Sequence, residues 1–176
     1  MQEMQVNVAQ LLKESLGATR SFDLTGPLLD SDESVLGHVT GELKLTKTDR
    51  GVWVSGPVEI LVSSECSRCL KPIEYIVPAQ IDDEYLPKVD LATGARVRVE
   101  DRDADDADTK SIDDHHELDL TETLQQYRLA GLLLAPMCKE ECQGICPQCG
   151  LDLNENTHDC GVELDPRWEK LRELLR

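Results

Sequence analysis

The sequence predicts an α+β fold: an antiparallel β-meander forming a barrel-like sheet, then a long helix, a cysteine-rich segment and a short C-terminal helix. Three observations predict it. Apolar and β-branched residues alternate from about 35 to 86, apolar residues recur at helical spacing from 119 to 136, and five of seven cysteines crowd into 138–160. The expected division places a β-rich domain with an N-terminal helix and an acidic loop at 1–118. The helix, the cysteine-rich segment and a C-terminal helix packed on it occupy 119–176.

The elements follow in order. In "MQVNVAQLLKESL", Val8, Leu11, Leu12 and Leu16 fall on one side of a helix at 4–16. "SVLGHVTGELKLTKT" then alternates at Val39, Gly41, Leu43 and Leu45; Asp49–Arg50–Gly51 signals a turn; "VWVSGPVEILVSS" and "PIEYIVPAQIDDEYL" supply two more strands. Cys66 and Cys69 fall at the connection between the second and third strands of this meander.

Between Asp82 and Asp119 stand 14 acidic against 5 basic residues, more than half of the chain's net charge of −17. Such a run reads as a solvated loop. The competing reading, a site for a metal or a basic partner built on the aspartates with His115 and His116, is the weaker one, because runs of like charge usually serve solvation.

After the loop, Asp119 and Glu122 make a capping-box-like start. Leu120, Leu124, Tyr127, Gly131 and Leu134 trace one helical face, widened by Leu129, Leu132 and Leu133, so much of this helix is expected to be buried. Pro136 should stop it. In "DPRWEKLRELLR", Asp165 as N-cap, Pro166 at the first helical position and a stripe of Trp168, Leu171 and Leu175 predict the last helix.

Composition excludes several classes. A chain of 176 residues is long enough for a real core, and with 3% aromatics that core must be aliphatic. The negative charge disfavours non-specific nucleic-acid binding by the protein as a whole. No apolar run approaches the roughly 20 residues of a membrane span, and "MQEMQVNVAQLLKES" lacks the basic and apolar regions of a signal peptide. The expected location is therefore cytoplasmic, with no membrane partner. In a reducing compartment, clustered cysteines point to metal rather than disulfides, and an odd count of seven argues the same way.

The cluster reads Cys138-x3-Cys142-x3-Cys146-x2-Cys149-x10-Cys160. Its sharpest part is "CPQCG". In a zinc knuckle two thiolates bind one ion from a tight turn whose backbone N–H groups point at the sulfurs; Pro147 sets the turn and Gly150 permits its left-handed residue. Cys160 is the best third ligand and Cys142 the fourth, with Cys138 and His158 as alternates. A mostly thiolate shell is a closed, structural zinc-knuckle site rather than a catalytic one. An iron–sulfur cluster also fits four cysteines. A redox dithiol fits less well, because that motif opens a helix after a strand.

"CSRC" is open between two readings. Cys66 and Cys69 form a second knuckle that joins Cys146 and Cys149, or they bind nothing and are small buried groups in a turn; the sequence slightly favours the second. Arg68 and Lys71 make a small basic tip, read either as exposed turn residues or as contacts to RNA phosphate or an acidic partner. No phosphate loop, nucleophile motif or HExxH run is present, and the four histidines share no spacing with a nucleophile. A non-enzymatic protein is expected.

The blocks "CSRCLKPIEY", "DLTETLQQYRLAGLLLAP", "CQGICPQCGLDLN…HDC" and "DPRWEKL", in this order over roughly 60–176, resemble the YceD family of large ribosomal RNA subunit accumulation proteins. The resemblance implies a bacterial or plastid factor without established enzymatic activity. Its gene often adjoins that of a small zinc-ribbon protein of the large ribosomal subunit. Some members keep C-x-R-C and lack the later cysteines, which implies a stabilising metal cluster and a separate role for the upstream pair. Many members end in C-x-C, and here His158 stands at the first of those positions.

The function expected is thus a ribosome-biogenesis factor that supports accumulation of large-subunit ribosomal RNA by binding a ribosomal protein or precursor particle. Ribosomal RNA would be engaged directly or through that partner. The alternatives are a zinc-ribbon RNA-binding module using Arg68, Lys71 and the knuckle, and a thiol redox or metal-buffer protein.

Overall fold

In the computed structural model the described residues are 4–30, 32–89, 94–95, 110–155, 160 and 167. The chain divides into two compact units: Met1–Ser63 with Glu74–Leu134, and Ser64–Ile73 with Ala135–Arg176. The boundary expected at 118/119 is therefore drawn elsewhere. The helix after Asp119 belongs with the sheet, and the connection carrying Cys66 and Cys69 belongs with the C-terminal cysteines.

The first unit is mostly sheet. Its elements are β1 (Gln5–Asn7), α1 (Ala9–Lys13), β2 (Thr19–Leu29), β3 (Val35–Lys47), β4 (Val52–Glu65), β5 (Pro72–Pro87), β6 (Ser111–Ile112), β7 (Glu117–Asp119) and α2 (Thr121–Gly131), the ends of β4 and β5 reaching into the second unit. The strands run β1-β7-β6-β5-β4-β3-β2 in one nearly closed, barrel-like sheet. The sheet is mixed, not antiparallel as expected: β6 lies parallel to β5, pairing Ser111 with Leu86 and Ile112 with Pro87.

The three expected strands are present as β3, β4 and β5. Their alternation buries Val39, Leu43 and Leu45 on β3, and Val52, Val54, Val58, Ile60 and Val62 on β4. β2 was not expected, because Gly26 and Pro27 punctuate it. It stands at one end of the strand order, where proline is tolerated, and Leu24 and Leu28 are buried.

Both described helices are shorter than their apolar spacing suggested. α1 spans five residues and buries Leu11 and Leu12. α2 spans 11 residues and ends at Gly131, five residues before the proline expected to stop it. A Cβ at Gly131 would stand 2.2 Å from Val77 Cγ1, so this end of the helix is pressed onto β5 by a residue of poor helix propensity. Beyond it Leu132 is extended. The wide burial expected for this helix is also absent: Leu129 and Leu133 are more than half exposed and Leu134 is fully exposed. Within α2 only Thr123 and Leu124 are buried, and Thr123 Oγ1 meets the buried Tyr85 hydroxyl at 2.6 Å. Asp119 is not the cap expected of it: Leu120 stands at that position without a side-chain cap, and Asp119 Oδ1 accepts Thr121 N–H at 2.8 Å from one residue further out.

Among the acidic stretch, 90–93 and 96–109 lie outside the described residues, as does almost all of the expected C-terminal helix. His115 and His116 sit in the turn between β6 and β7, where the Asp113 carboxylate accepts the backbone N–H groups of His115 and Glu117 at 2.9 and 2.7 Å. Their residues serve a capped turn.

Candidate metal centre

The second unit is built on two tight cysteine turns with the same backbone design. In the first, Leu70 N–H donates to Cys66 O at 2.9 Å and Cys66 N–H to Lys71 O at 2.8 Å. In the second, Gly150 N–H donates to Cys146 O and Cys146 N–H to Leu151 O, both at 2.8 Å. The residue after the second cysteine is left-handed in each, with φ of 59° at Leu70 and 75° at Gly150. Glycine takes that conformation freely, whereas leucine does so at a cost of about 1–2 kcal/mol. "CSRCL" is thus a knuckle like "CPQCG", although its leucine concealed the fact in the sequence.

In both turns backbone N–H groups point at the leading sulfur. The N–H groups of Cys69, Arg68 and Cys138 lower the Cys66 thiol to about 6, and those of Cys149 and Gln148 lower Cys146 to about 6. Cys138 is pushed up to about 12 by lost hydration and by the Cys142 sulfur beside it. Cys160 is likewise pushed up to about 12, by Cys149 and Cys146. Such crowded thiols cannot all ionise unless a cation joins them.

The sulfurs fall into two groups, each mutually within 4.8 Å: Cys66, Cys69, Cys138 and Cys142, and Cys146, Cys149 and Cys160. The first group joins chain segments far apart in sequence. Cys66 Sγ stands 3.8 Å from Cys142 Sγ, and Cys69 Sγ 3.6 Å from Cys138 Sγ. A disulfide would need about 2.05 Å. A zinc ion with bonds of about 2.3 Å to four thiolates sets its sulfurs at tetrahedral edges of about 3.8 Å, and the donor set fits that geometry. Cys66, Cys69 and Cys142 are buried and pack with Ile73 and Ile145, whereas Cys138 is exposed.

The grouping differs from the expected one. Cys146, Cys149 and Cys160 do come together, but Cys142 stands with Cys138 and the upstream pair. Cys66 and Cys69 neither join Cys146 and Cys149 nor stand alone. Spacing could not reveal this, since 76 residues separate Cys66 from Cys142. His158 lies outside the described residues.

The basic tip is engaged within the second unit. Arg68 Nη1 donates to Cys142 O at 2.9 Å, and Arg68 O accepts Ile145 N–H at 3.2 Å. Lys71 Nζ pairs with Asp152 at 2.7 Å and Glu155 at 2.5 Å, contacts that raise the ammonium pKa and lower Asp152 to about 2. Both side chains therefore hold the two knuckles together. Asn154 was not singled out in the sequence, and no signal there marks it. Its Nδ2 lies 3.5 Å from Cys142 Sγ, and its Oδ1 accepts Gln143 N–H at 2.9 Å.

The fold and these groups define a β-sheet protein with an appended unit gathered around cysteine knuckles that can hold metal, a donor set compatible with zinc. The family model described as "Large ribosomal RNA subunit accumulation protein YceD" matches residues 54–175, a span that includes all seven cysteines. The chain belongs to the YceD family. It is 30% identical over 150 residues to proteins of Mycobacterium bovis and Mycobacterium tuberculosis described as uncharacterized, covering 85% of this chain and 63% of theirs. A Mycobacterium leprae protein, also described as uncharacterized, is 27% identical over 134 residues, covering 76% of this chain and 58% of its own. The chain thus spans somewhat under two thirds of the length of these relatives. No solved structure matches it. Among the described residues no helix is long and apolar enough to cross a membrane.

Proposed function

We propose that the protein is a non-enzymatic, cytoplasmic ribosome-biogenesis factor that supports accumulation of large-subunit ribosomal RNA by binding a ribosomal protein or a precursor particle. The observation that carries this reading is the family match over 54–175. The net charge of −17 favours a basic protein partner over naked RNA, since complementary charge steers association and like charge opposes it. Ribosomal proteins supply that complement, and the acidic residues between 82 and 119 are the charges we assign to it.

In this reading the metal is structural. Zinc held by Cys66, Cys69, Cys138 and Cys142 would supply a cross-link between the β4–β5 connection and the segment after Pro136. Such sites contribute about 10–16 kcal/mol of apparent binding free energy in zinc-finger peptides, enough to decide whether a small unit folds. The engagement of Arg68 and Lys71 in ion pairs and hydrogen bonds counts against the alternative in which they read RNA.

Affinity purification of the tagged full chain from its own cells, with sequencing of bound RNA and identification of bound proteins, tests the reading. Enrichment of large-subunit proteins or precursor RNA, lost in high salt, is expected. Recovery of neither above an unrelated acidic control overturns it.

A further inference from the structure

The seven cysteines of this chain divide without remainder into a group of four and a group of three. The four can close a tetrahedron by themselves. The three are then surplus to that site, yet they are not scattered: Cys146, Cys149 and Cys160 keep their sulfurs within 4.8 Å of one another. Cys146 and Cys149 sit in a turn that repeats, bond for bond, the turn that presents Cys66 and Cys69. A backbone shaped to present two sulfurs to an ion occurs twice, and each time sulfur from elsewhere in the chain closes on it.

We propose that Cys146, Cys149 and Cys160 form a second metal site, separate from the four-cysteine centre, so that the protein binds two zinc ions rather than one. Every cysteine is spoken for, so the fourth donor of this second site is not a thiolate of this chain. The ion sits in a more open environment than the first. Cys149 is exposed and Cys160 half-buried, whereas three of the four cysteines of the first centre are buried. Ligand exchange by an external chelator needs access to the metal, so the second ion leaves first.

The two sites share a wall. Asn154 lies in the loop between Cys149 and Cys160 and reaches back to Cys142 Sγ at 3.5 Å, while Asp152 and Glu155 of the same loop hold Lys71, two residues after Cys69. Asn154 is thereby a positioning residue for the first centre, supplied by the loop of the second. Loading the second site holds Asp152, Asn154 and Glu155 in these contacts and strengthens the first. Emptying the second should weaken the first without abolishing it, by the roughly 10- to 100-fold typical of lost outer-sphere contacts.

Native mass spectrometry of the full chain, purified with zinc and challenged with increasing chelator, tests this. The wild type should carry two zinc ions and lose them in two steps, while Cys146→Ser/Cys149→Ser should carry one. Asn154→Ala should keep both ions but release the tighter one at lower chelator concentration. As a control for folding, cobalt(II) bound to the double variant should give the absorption of a tetrahedral four-thiolate site. A wild type that carries one zinc overturns the proposal, as does a double variant that still carries two. A double variant that carries none, while its sheet unit keeps the wild-type circular dichroism, shows one shared site and overturns it equally.

Discussion

Cys66 Sγ and Cys142 Sγ stand 3.8 Å apart although 76 residues separate them in sequence. The contact brings a strand-to-strand connection onto the C-terminal segment, and around it the second unit is gathered. If one ion holds both sulfurs, removing either has the same effect. Cys66→Ser and Cys142→Ser should each lose one zinc equivalent, and the double variant should lose no more than either alone. The check is metal content by atomic emission together with a double-mutant cycle on thermal stability. Additive losses would assign the two residues to different ions.

The matched turns make opposite forecasts for equivalent positions. Gly150 is left-handed with φ of 75°, and among the described residues nothing stands within 4 Å of a Cβ placed there, so Gly150→Ala should cost the backbone strain of about 1–2 kcal/mol. Leu70 already bears that strain, with φ of 59° and more than half of its surface exposed. Leu70→Gly should therefore leave zinc affinity equal or higher. Chelator competition on the two variants reads both effects, and a large loss of affinity in Leu70→Gly would show that its side chain supports the knuckle.

In the sheet unit, the Tyr85 hydroxyl and Thr123 Oγ1 satisfy each other at 2.6 Å inside an otherwise aliphatic core. Burial raises the Tyr85 pKa above its ordinary value, so the group stays neutral. Thr123→Val should strand the phenol and cost about 1–3 kcal/mol, and adding Tyr85→Phe should recover part of that loss. Denaturant unfolding of the three variants measures it. Equal stability of Thr123→Val and wild type would mean that the pair contributes nothing.

Asp119 gives the pH dependence. Burial works against its charge, but hydrogen bonds from Thr121 and from Gln5, its partner across β1 and β7, outweigh burial and hold the carboxyl below its usual value. A depressed folded pKa contributes stability that is complete above the unfolded value, near 3.9, and disappears as pH falls through the lower folded one. Asp119→Asn keeps an acceptor oxygen for Thr121 and removes only the charge, so it should cost less than about 1 kcal/mol at neutral pH, and the gap from wild type should narrow as pH falls below about 4. Thermal unfolding from pH 3 to pH 7 follows it; a constant gap would place the contribution elsewhere.

Local chemistry was legible in the sequence, and long-range partnership was not. β3, β4 and β5 could be read from apolar and β-branched alternation, with a turn at Asp49–Gly51 between the first two. The knuckle at Cys146 could be read because Pro147 and Gly150 mark the turn. β2 was hidden by Gly26 and Pro27, which signal a turn anywhere but at a sheet edge. The parallel β5–β6 pair was hidden because two residues carry no periodicity. The apolar run Leu132–Leu134 suggested more helix and more burial, but Gly131 packs so closely on Val77 that the helix ends there. The four-cysteine group was hidden for another reason: its membership is fixed by the fold of β4 and β5, and spacing within 138–160 says nothing about residues at 66 and 69.

The most direct test of the metal-joined unit is hydrogen exchange by mass spectrometry on the full chain with zinc and after complete chelation. Loss of protection should appear together in 64–73 and 135–155, while the buried middle of β3 and β4 stays protected. If chelation loosens 135–155 and leaves 64–73 as protected as before, Cys66 and Cys69 do not share an ion with Cys138 and Cys142.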